Sequence, residues 1–118
     1  MSLWNDIEKA AYVIYSLHML EIKQTSSFRD WLAKLKDQRA IAKIEARLTL
    51  MQAGSFGDVK PCGGGVSESR IHYGPGYRLY FVQKGSVLVI MLGGGTKRTQ
   101  SNDIQQAKAI AVQLEGQL

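Results

Sequence analysis

The residues of this chain that are best suited to chemistry are basic, and several of them alternate along one stretch. Glu68, Arg70 and His72 are spaced two apart, so in a β-strand their side chains share one face. Cleavage of RNA by its own 2′-hydroxyl needs no metal; it needs a base, cations around the phosphate and an acid for the leaving 5′ oxygen. The imidazole of His72 suits the base or the acid. Guanidinium groups suit the phosphate, and we assign this role to Arg70, Arg78 and Arg98.

The positive charge of the chain is confined to one third of it. The 118 residues have a net charge of +5, and the segment from Lys60 to Arg98 holds six cations and one acid, whereas the rest holds nine residues of each sign. Such a segment indicates an anionic partner, either a nucleic acid or an acidic protein, although a solvated basic surface has the same composition. The residues predicted to contact RNA beside the catalytic set are Lys60, Tyr73, Tyr77 and Lys97.

Several other kinds of site lack the residues that they need. Two histidines and a single cysteine, Cys62, form no metal-binding constellation and no disulfide, so we expect neither a metal nor a cofactor. The glycine runs at 63–65 and 93–95 match no phosphate-binding loop and are predicted to be turns. The apolar stretch near the N-terminus is far shorter than the ~20 residues that span a bilayer, and Asp6 and Glu8 stand where a signal peptide is basic. We therefore expect a cytoplasmic protein with no membrane contact.

The elements that position these residues follow from the spacing of apolar side chains. Residues 19–23 alternate and predict a strand, and two amphipathic helices follow, beginning near Thr25 and Asp37. Residues 57–65 predict a glycine-rich loop, and the last helix begins at Ser101. Further strands are predicted at residues 66–73, 77–83 and 87–92.

The order β-α-α-β-β-β-α predicts an α+β domain in which a helical hairpin packs on a small antiparallel sheet. The run 87–92 is apolar at every position, which predicts a strand covered on both faces. The second helix is expected to carry Arg47 on its outer face. Residues 19–118 are expected to form the domain, and residues 1–18 an N-terminal extension that is dispensable or not native.

Three stretches of the chain resemble proteins of one bacterial group. They are FRDWLAKLKDQRAIAKIEARL, GDVKPCGGGVSESRIHYGPGYRLYFVQKG and GGGTKRTQSNDIQQA, and their motifs DVKP and RIHYGPGYRLYF stand in the same order as in that group. Over residues 20–114 the chain resembles the HigB-like addiction module killer group of the RelE/ParE toxin superfamily. The resemblance implies a RelE-like fold and ribosome-dependent cleavage of messenger RNA. It also implies neutralisation by a small antitoxin, of the helix-turn-helix kind, encoded alongside.

The resemblance implies roles for individual residues as well. Arg70 and His72 stand at the strand positions where such toxins place catalytic cations. Arg78 matches the arginine of a Tyr-Arg motif, and Arg98 matches an arginine just after the last strand. Ile104 stands six residues after Arg98, where these toxins carry a tyrosine.

Two alternatives stand beside the ribonuclease. The superfamily includes ParE-like toxins that poison DNA gyrase and cut no RNA, and a degenerate toxin would only bind its antitoxin. The four cationic residues favour the ribonuclease, whereas the absence of a tyrosine at Ile104 favours the alternatives. Without that tyrosine, the general acid is either His72 or Tyr73.

Overall fold

One mixed sheet of five strands organises the computed structural model, which describes residues 19–116 as an α+β fold with three helices. The strands are β1 (Glu21–Gln24), β2 (Asp58–Gly63), β3 (Val66–Ile71), β4 (Tyr77–Lys84) and β5 (Leu88–Thr96). The helices are α1 (Ser26–Lys34), α2 (Gln38–Gln52) and α3 (Gln100–Glu115), and a 3₁₀ turn (Lys97–Thr99) precedes α3. The extension expected at residues 1–18 lies outside the described residues.

The strands lie in the order β1-β5-β4-β3-β2, which corrects the purely antiparallel sheet expected from the sequence. The pairs β2–β3, β3–β4 and β4–β5 are antiparallel, whereas β1 pairs in parallel with β5. The mixed sheet arises because α1 and α2 carry the chain from the β1 edge to the opposite edge, and three hairpins then bring it back. The α+β class is confirmed, and the predicted order of elements gains one strand, β2.

That additional strand lies in the segment predicted to be a glycine-rich loop. Residues 58–63 pair with β3 at the edge of the sheet, where Pro61 needs no hydrogen bond on its solvent side. The register shifts between Pro61 and Gly63, as at a β-bulge. Gly64 and Gly65 then turn the chain with positive φ angles of 62° and 79°. The predicted turn is therefore confirmed at Gly64 and Gly65, whereas Gly63 ends β2 and the prediction of a loop over the preceding residues was wrong.

The second glycine run was also predicted to be a turn, and here it extends β5 instead. A Cβ atom on Gly94 would overlap the indole of Trp31 from α1, and one on Gly95 would overlap the carboxylate of Asp103 from α3. These glycines therefore let helices approach β5 closely from both sides of the sheet.

The sheet is covered on both faces, as the apolar run in β5 predicts. One face, called here the hairpin face, packs against α1 and α2, and the other, called here the α3 face, packs against α3. Side chains alternate between the two faces along each strand, so Leu79 and Phe81 point to the hairpin face and Tyr80 and Val82 to the α3 face. The hairpin-face core includes Phe28, Ala40, Ile44, Met51, Val89 and Met91. The core under α3 includes Val66, Ile90, Leu92, Ala107 and Ala111.

Helices α1 and α2 begin at the capping residues that the sequence indicates, whereas α3 begins at Gln100, one residue before its predicted start, without a side-chain cap. The Thr25 hydroxyl accepts a hydrogen bond from the backbone N–H of Phe28 and donates to the carbonyl of Met91 at 2.9 Å, which fixes α1 to β5. Asp37 accepts from the first N–H groups of α2, and the bond from Ala40 contributes most to holding the pKa of Asp37 below its usual value. None of the helices within residues 19–116 is long and apolar enough to cross a membrane.

Candidate functional site

Neighbouring strands place three charged residues side by side on the α3 face. Asp58 of β2 is the register partner of Arg70 of β3, and Arg70 is the register partner of Arg78 of β4. Residues paired in this way have Cα atoms about 4.5–5.5 Å apart. The three residues are called here the arginine row. Strand parity predicts that Arg70 and Arg78 meet on one face, and the register brings them together there.

The buried residue Glu68 forms hydrogen bonds with Arg70 of this row and with α3. Its side chain is only 1% exposed, and its carboxylate accepts a hydrogen bond from Arg70 Nε at 2.9 Å. The side-chain amide of Gln100, the first residue of α3, donates to the same carboxylate at 2.8 and 3.1 Å. A buried carboxylate needs such partners because it has lost its water. The bond to Glu68 raises the pKa of Arg70, and it engages Nε while a quarter of the Arg70 side chain remains exposed.

The side chain of Arg78 is nearly buried, and only part of its hydrogen-bonding capacity is used. One terminal nitrogen, Nη1, donates to the carbonyl of Gly76 at 2.7 Å. Among the described residues, neither Arg78 Nε nor the hydroxyl of Tyr80 has a hydrogen-bond partner, although both atoms are buried. Burial raises the pKa of Tyr80 above its usual value. Such unsatisfied groups are rare in protein interiors, and here two follow each other along one face of β4.

His72 follows the last residue of β3 and binds Asp58. The distance from His72 Nε2 to Asp58 Oδ2 is 2.7 Å, and the two side chains are 72% and 49% exposed. The hydrogen bond to His72 contributes most to holding the pKa of Asp58 below its usual value, and the charge of Arg70 acts in the same direction. The imidazole therefore lies beside the arginine row, on the same face of the sheet.

The remaining predicted cations surround the row less closely. Lys60 is exposed on β2 and is the register partner of Glu68. The backbone N–H of Lys97 donates to the carbonyl of Gly76, the same carbonyl that binds Arg78. Arg98 is exposed in the same 3₁₀ turn, and its side chain forms no hydrogen bond or ion pair with the described residues.

Tyr73 and Tyr77, which the sequence predicts to contact RNA, lie on the opposite face of the sheet from the two arginines. Their odd positions place them on the hairpin face: Tyr77 is buried against the ring of Trp31, with centroids 6.3 Å apart. The hydroxyl of Tyr73 donates to Asp37 at 3.0 Å, which raises the pKa of Tyr73, and Lys43 lies over its ring. The side chain of Tyr73 therefore contacts α2, on the other side of the sheet from the arginine row.

The structure also places Arg47 and Ile104, two further residues of the sequence analysis. Arg47 was expected on the outer face of α2, but its Nη1 donates to the hydroxyl of Ser69 at 2.7 Å and to the carbonyl of Arg70 at 2.8 Å. It therefore ties α2 to β3 behind the candidate site. Ile104, at the position of the expected tyrosine, packs half-buried against the core under α3.

Sequence reasoning missed three residues of the site. Tyr80 shares the parity of Arg78, so alternation alone would have found it. Asp58 was missed because its strand was interpreted as a loop. Gln100 was missed because no sequence pattern indicates that the first residue of α3 lies over Glu68.

The fold and the site define a three-layered α+β protein with an arginine pair and a histidine–carboxylate pair on one face of its sheet. No model of a known protein family matches the chain. The chain is 50% identical over 95 residues to a protein of Haemophilus influenzae strain Rd described as uncharacterized, a match that spans 80% of this chain and 96% of that protein. The chain belongs to the same family as that protein.

Proposed function

We propose that this protein is the toxin of a bacterial toxin–antitoxin pair, with a RelE-like fold, and that it cleaves messenger RNA on the ribosome. The observation that carries the proposal is the pairing of Arg70 with Arg78 on one face, with His72 beside them. The two guanidinium groups lie on adjacent strands, and a quarter of the Arg70 side chain is exposed, whereas Arg78 is almost buried. A phosphodiester is the anion that such planar groups bind with two hydrogen bonds each.

In this proposal each residue has one role. His72 takes the proton of the 2′-hydroxyl, and the 2′ oxygen attacks the adjacent phosphorus. Arg70 and Arg78 bind the phosphate and stabilise the negative charge that develops on it. Lys60, Lys97 and Arg98 hold the flanking phosphates of the RNA. No metal or cofactor enters this scheme.

The proposed partners are the ribosome, messenger RNA and a cognate antitoxin. The antitoxin is expected to be a small helix-turn-helix protein encoded beside the toxin, and an adjacent short reading frame of that kind would support the pair. Since ribosomes are the site of action, the protein acts in the cytoplasm.

The proposal is tested by producing the protein without its antitoxin and mapping the ends of cellular messenger RNA. Cuts within translated codons are expected. Arg70→Ala and His72→Ala should each relieve growth arrest while circular dichroism shows an intact fold, and Arg29→Ala, an exposed arginine on α1, should remain toxic. If both site variants remain fully toxic, the active surface lies elsewhere.

A gyrase poison is the second candidate, because Ile104 leaves no hydroxyl at the position of the tyrosine that RelE-like ribonucleases carry. The same experiment separates the two activities. A gyrase poison would damage DNA and leave messenger RNA intact. A degenerate toxin that only binds its antitoxin would do neither.

A further inference from the structure

The contact between His72 and Asp58 joins two strands at the edge of the candidate site. Asp58 is the first residue of β2, and its register partner Arg70 precedes His72 by two residues on β3. The carboxylate of Asp58 therefore lies between the side chains of Arg70 and His72 on one strand face. Arg47 of α2 adds a second positive charge nearby.

The chemistry of the carboxylate decides which imidazole nitrogen carries the hydrogen. At neutral pH Asp58 is ionised, because the pKa of this carboxyl is held below its usual value. An ionised carboxylate only accepts hydrogen bonds. At 2.7 Å from Asp58 Oδ2, His72 Nε2 must therefore be the donor. In the neutral imidazole the lone pair that can accept a proton is then on Nδ1.

We propose that Asp58 is a positioning residue for His72, which it holds as the Nε2–H tautomer so that Nδ1 receives the proton of the RNA 2′-hydroxyl. This inference rests on the proposed function. In the step, the O–H bond breaks as Nδ1 takes the proton, and the 2′ oxygen bonds to phosphorus. The bond from phosphorus to the 5′ oxygen then breaks, and that oxygen takes a proton from water. The products are a 2′,3′-cyclic phosphate and a free 5′-hydroxyl.

The contact itself is tested without any cleavage assay. Carbon-13 NMR of the Asp58 carboxyl, followed through an acid titration, gives its pKa in the wild-type protein and in His72→Ala. The pKa of Asp58 is expected to rise toward the ordinary 3.8 in the variant. It should stay somewhat below that value, because the charges of Arg70 and Arg47 still lower it. An identical Asp58 titration in both proteins would show that the hydrogen bond is not formed in solution, and would overturn the inference.

The positioning role is tested on ribosome-bound messenger RNA at single turnover. Asp58→Ala is expected to lower the maximal cleavage rate by about tenfold, a part of the 10²–10⁴ that proton transfer typically contributes, with little change in the toxin concentration giving half the maximal rate. Asp58→Asn should lose at least as much rate as Asp58→Ala, because its amide N–H can donate to Nε2 and thereby stabilise the tautomer with the hydrogen on Nδ1. Asp30→Ala removes an exposed carboxylate of α1 and is the matched control.

A double variant shows whether Asp58 acts through the imidazole. In the His72→Ala background, Asp58→Ala should cause no further loss of rate, because there is no ring left to orient. The same tenfold loss in both backgrounds would overturn the positioning role. If the wild-type protein cleaves nothing while the pKa of Asp58 responds to His72→Ala, the proposed function has failed, the catalytic role of Asp58 fails with it, and the hydrogen bond is structural.

Discussion

Next to the arginine row, the buried carboxylate of Glu68 connects the candidate site to two secondary-structure elements. It receives hydrogen bonds from Arg70 on its own strand and from Gln100 at the start of α3. The orientation of Arg70 therefore depends on how α3 is seated. A side chain on a strand surface is normally free to sample several rotamers, and this pair restricts Arg70 to one.

Replacing Glu68 with glutamine tests this dependence. Glu68→Gln keeps the shape of the side chain but weakens two hydrogen bonds to a buried charged group, so the free energy of unfolding should fall by about 2 kcal/mol. The rate of RNA cleavage should fall as well, because the Arg70 guanidinium loses its ionic partner. Urea denaturation and the single-turnover assay measure the two effects. Glu45→Gln, an exposed residue of α2, is the control, and a Glu68→Gln protein as stable as the wild type would contradict the anchoring role.

The residues of the site could be predicted only as far as strand parity reaches. Because residues two apart in a strand share a face, the sequence predicts that Glu68, Arg70 and His72 lie on one face of the sheet. The hairpin at 74–76 adds Arg78 to that face. Contacts that depend on register and on packing between distant elements leave no local pattern. For that reason Asp58 and Gln100 were not predicted.

At the scale of elements, the helices and the apolar strands were predictable because their side chains repeat with a clear period. Besides the parallel pairing of β1, the two errors in assigning secondary structure both concern glycine-rich segments. Residues 58–63 form an edge strand that is mostly exposed, so their sequence lacks the alternating apolar residues by which a strand is recognised. Residues 93–95 extend β5, because glycine is required there by neighbouring side chains rather than by a turn. Glycine content therefore misleads wherever close packing, and not backbone conformation, is the reason for the glycine.

Gly94 gives a direct test of that explanation. Gly94→Ala should lower the free energy of unfolding by about 2 kcal/mol, as overpacking typically does, because the new methyl group would overlap the indole of Trp31. Gly93→Ala, one residue earlier, has only the Ser27 hydroxyl at 4.0 Å and should be nearly neutral. Urea denaturation of both variants makes the comparison. Equal effects at the two positions would show that loss of backbone freedom, and not Trp31, is the cause.

At the scale of the whole molecule, the described fold is built within residues 19–116. Leu20 is buried, and its backbone N–H donates to the carbonyl of Gln52 before β1 begins. A chain that starts at Met19 keeps this contact and all five strands. Such a shortened protein should fold with the stability of the full chain and should still arrest growth. Loss of cooperative unfolding, or loss of toxicity at equal expression, would show that residues 1–18 belong to the core.

The distribution of charge over the whole molecule leads to the last prediction, on salt dependence. Of the six cations that carry the net charge, five lie in or around the arginine row: Lys60, Arg70, Arg78, Lys97 and Arg98. The sixth, Lys84, is at the far end of β4, about 20 Å from Arg78 at 3.3 Å per residue. Each phosphate contact on single-stranded RNA contributes about −0.7 to the slope of log affinity against log salt. In the proposed scheme Arg70 and Arg78 share one phosphate, and the other three cations each hold one more. These four phosphate contacts predict that the affinity falls roughly 50-fold between 50 and 200 mM salt.

Ribosome binding measured across that range should show this slope, whereas antitoxin binding, which also buries apolar surface, should change less. Substituting Lys97 and Arg98 together with glutamine should reduce the slope by about 1.4, the contribution of two phosphate contacts. Lys84→Gln is the matched control, because it removes the same charge from the distant end of the strand and should leave the slope unchanged. If ribosome affinity varies less than about twofold over the range, fewer than one phosphate contact is made. The basic segment would then have to act on a partner other than RNA.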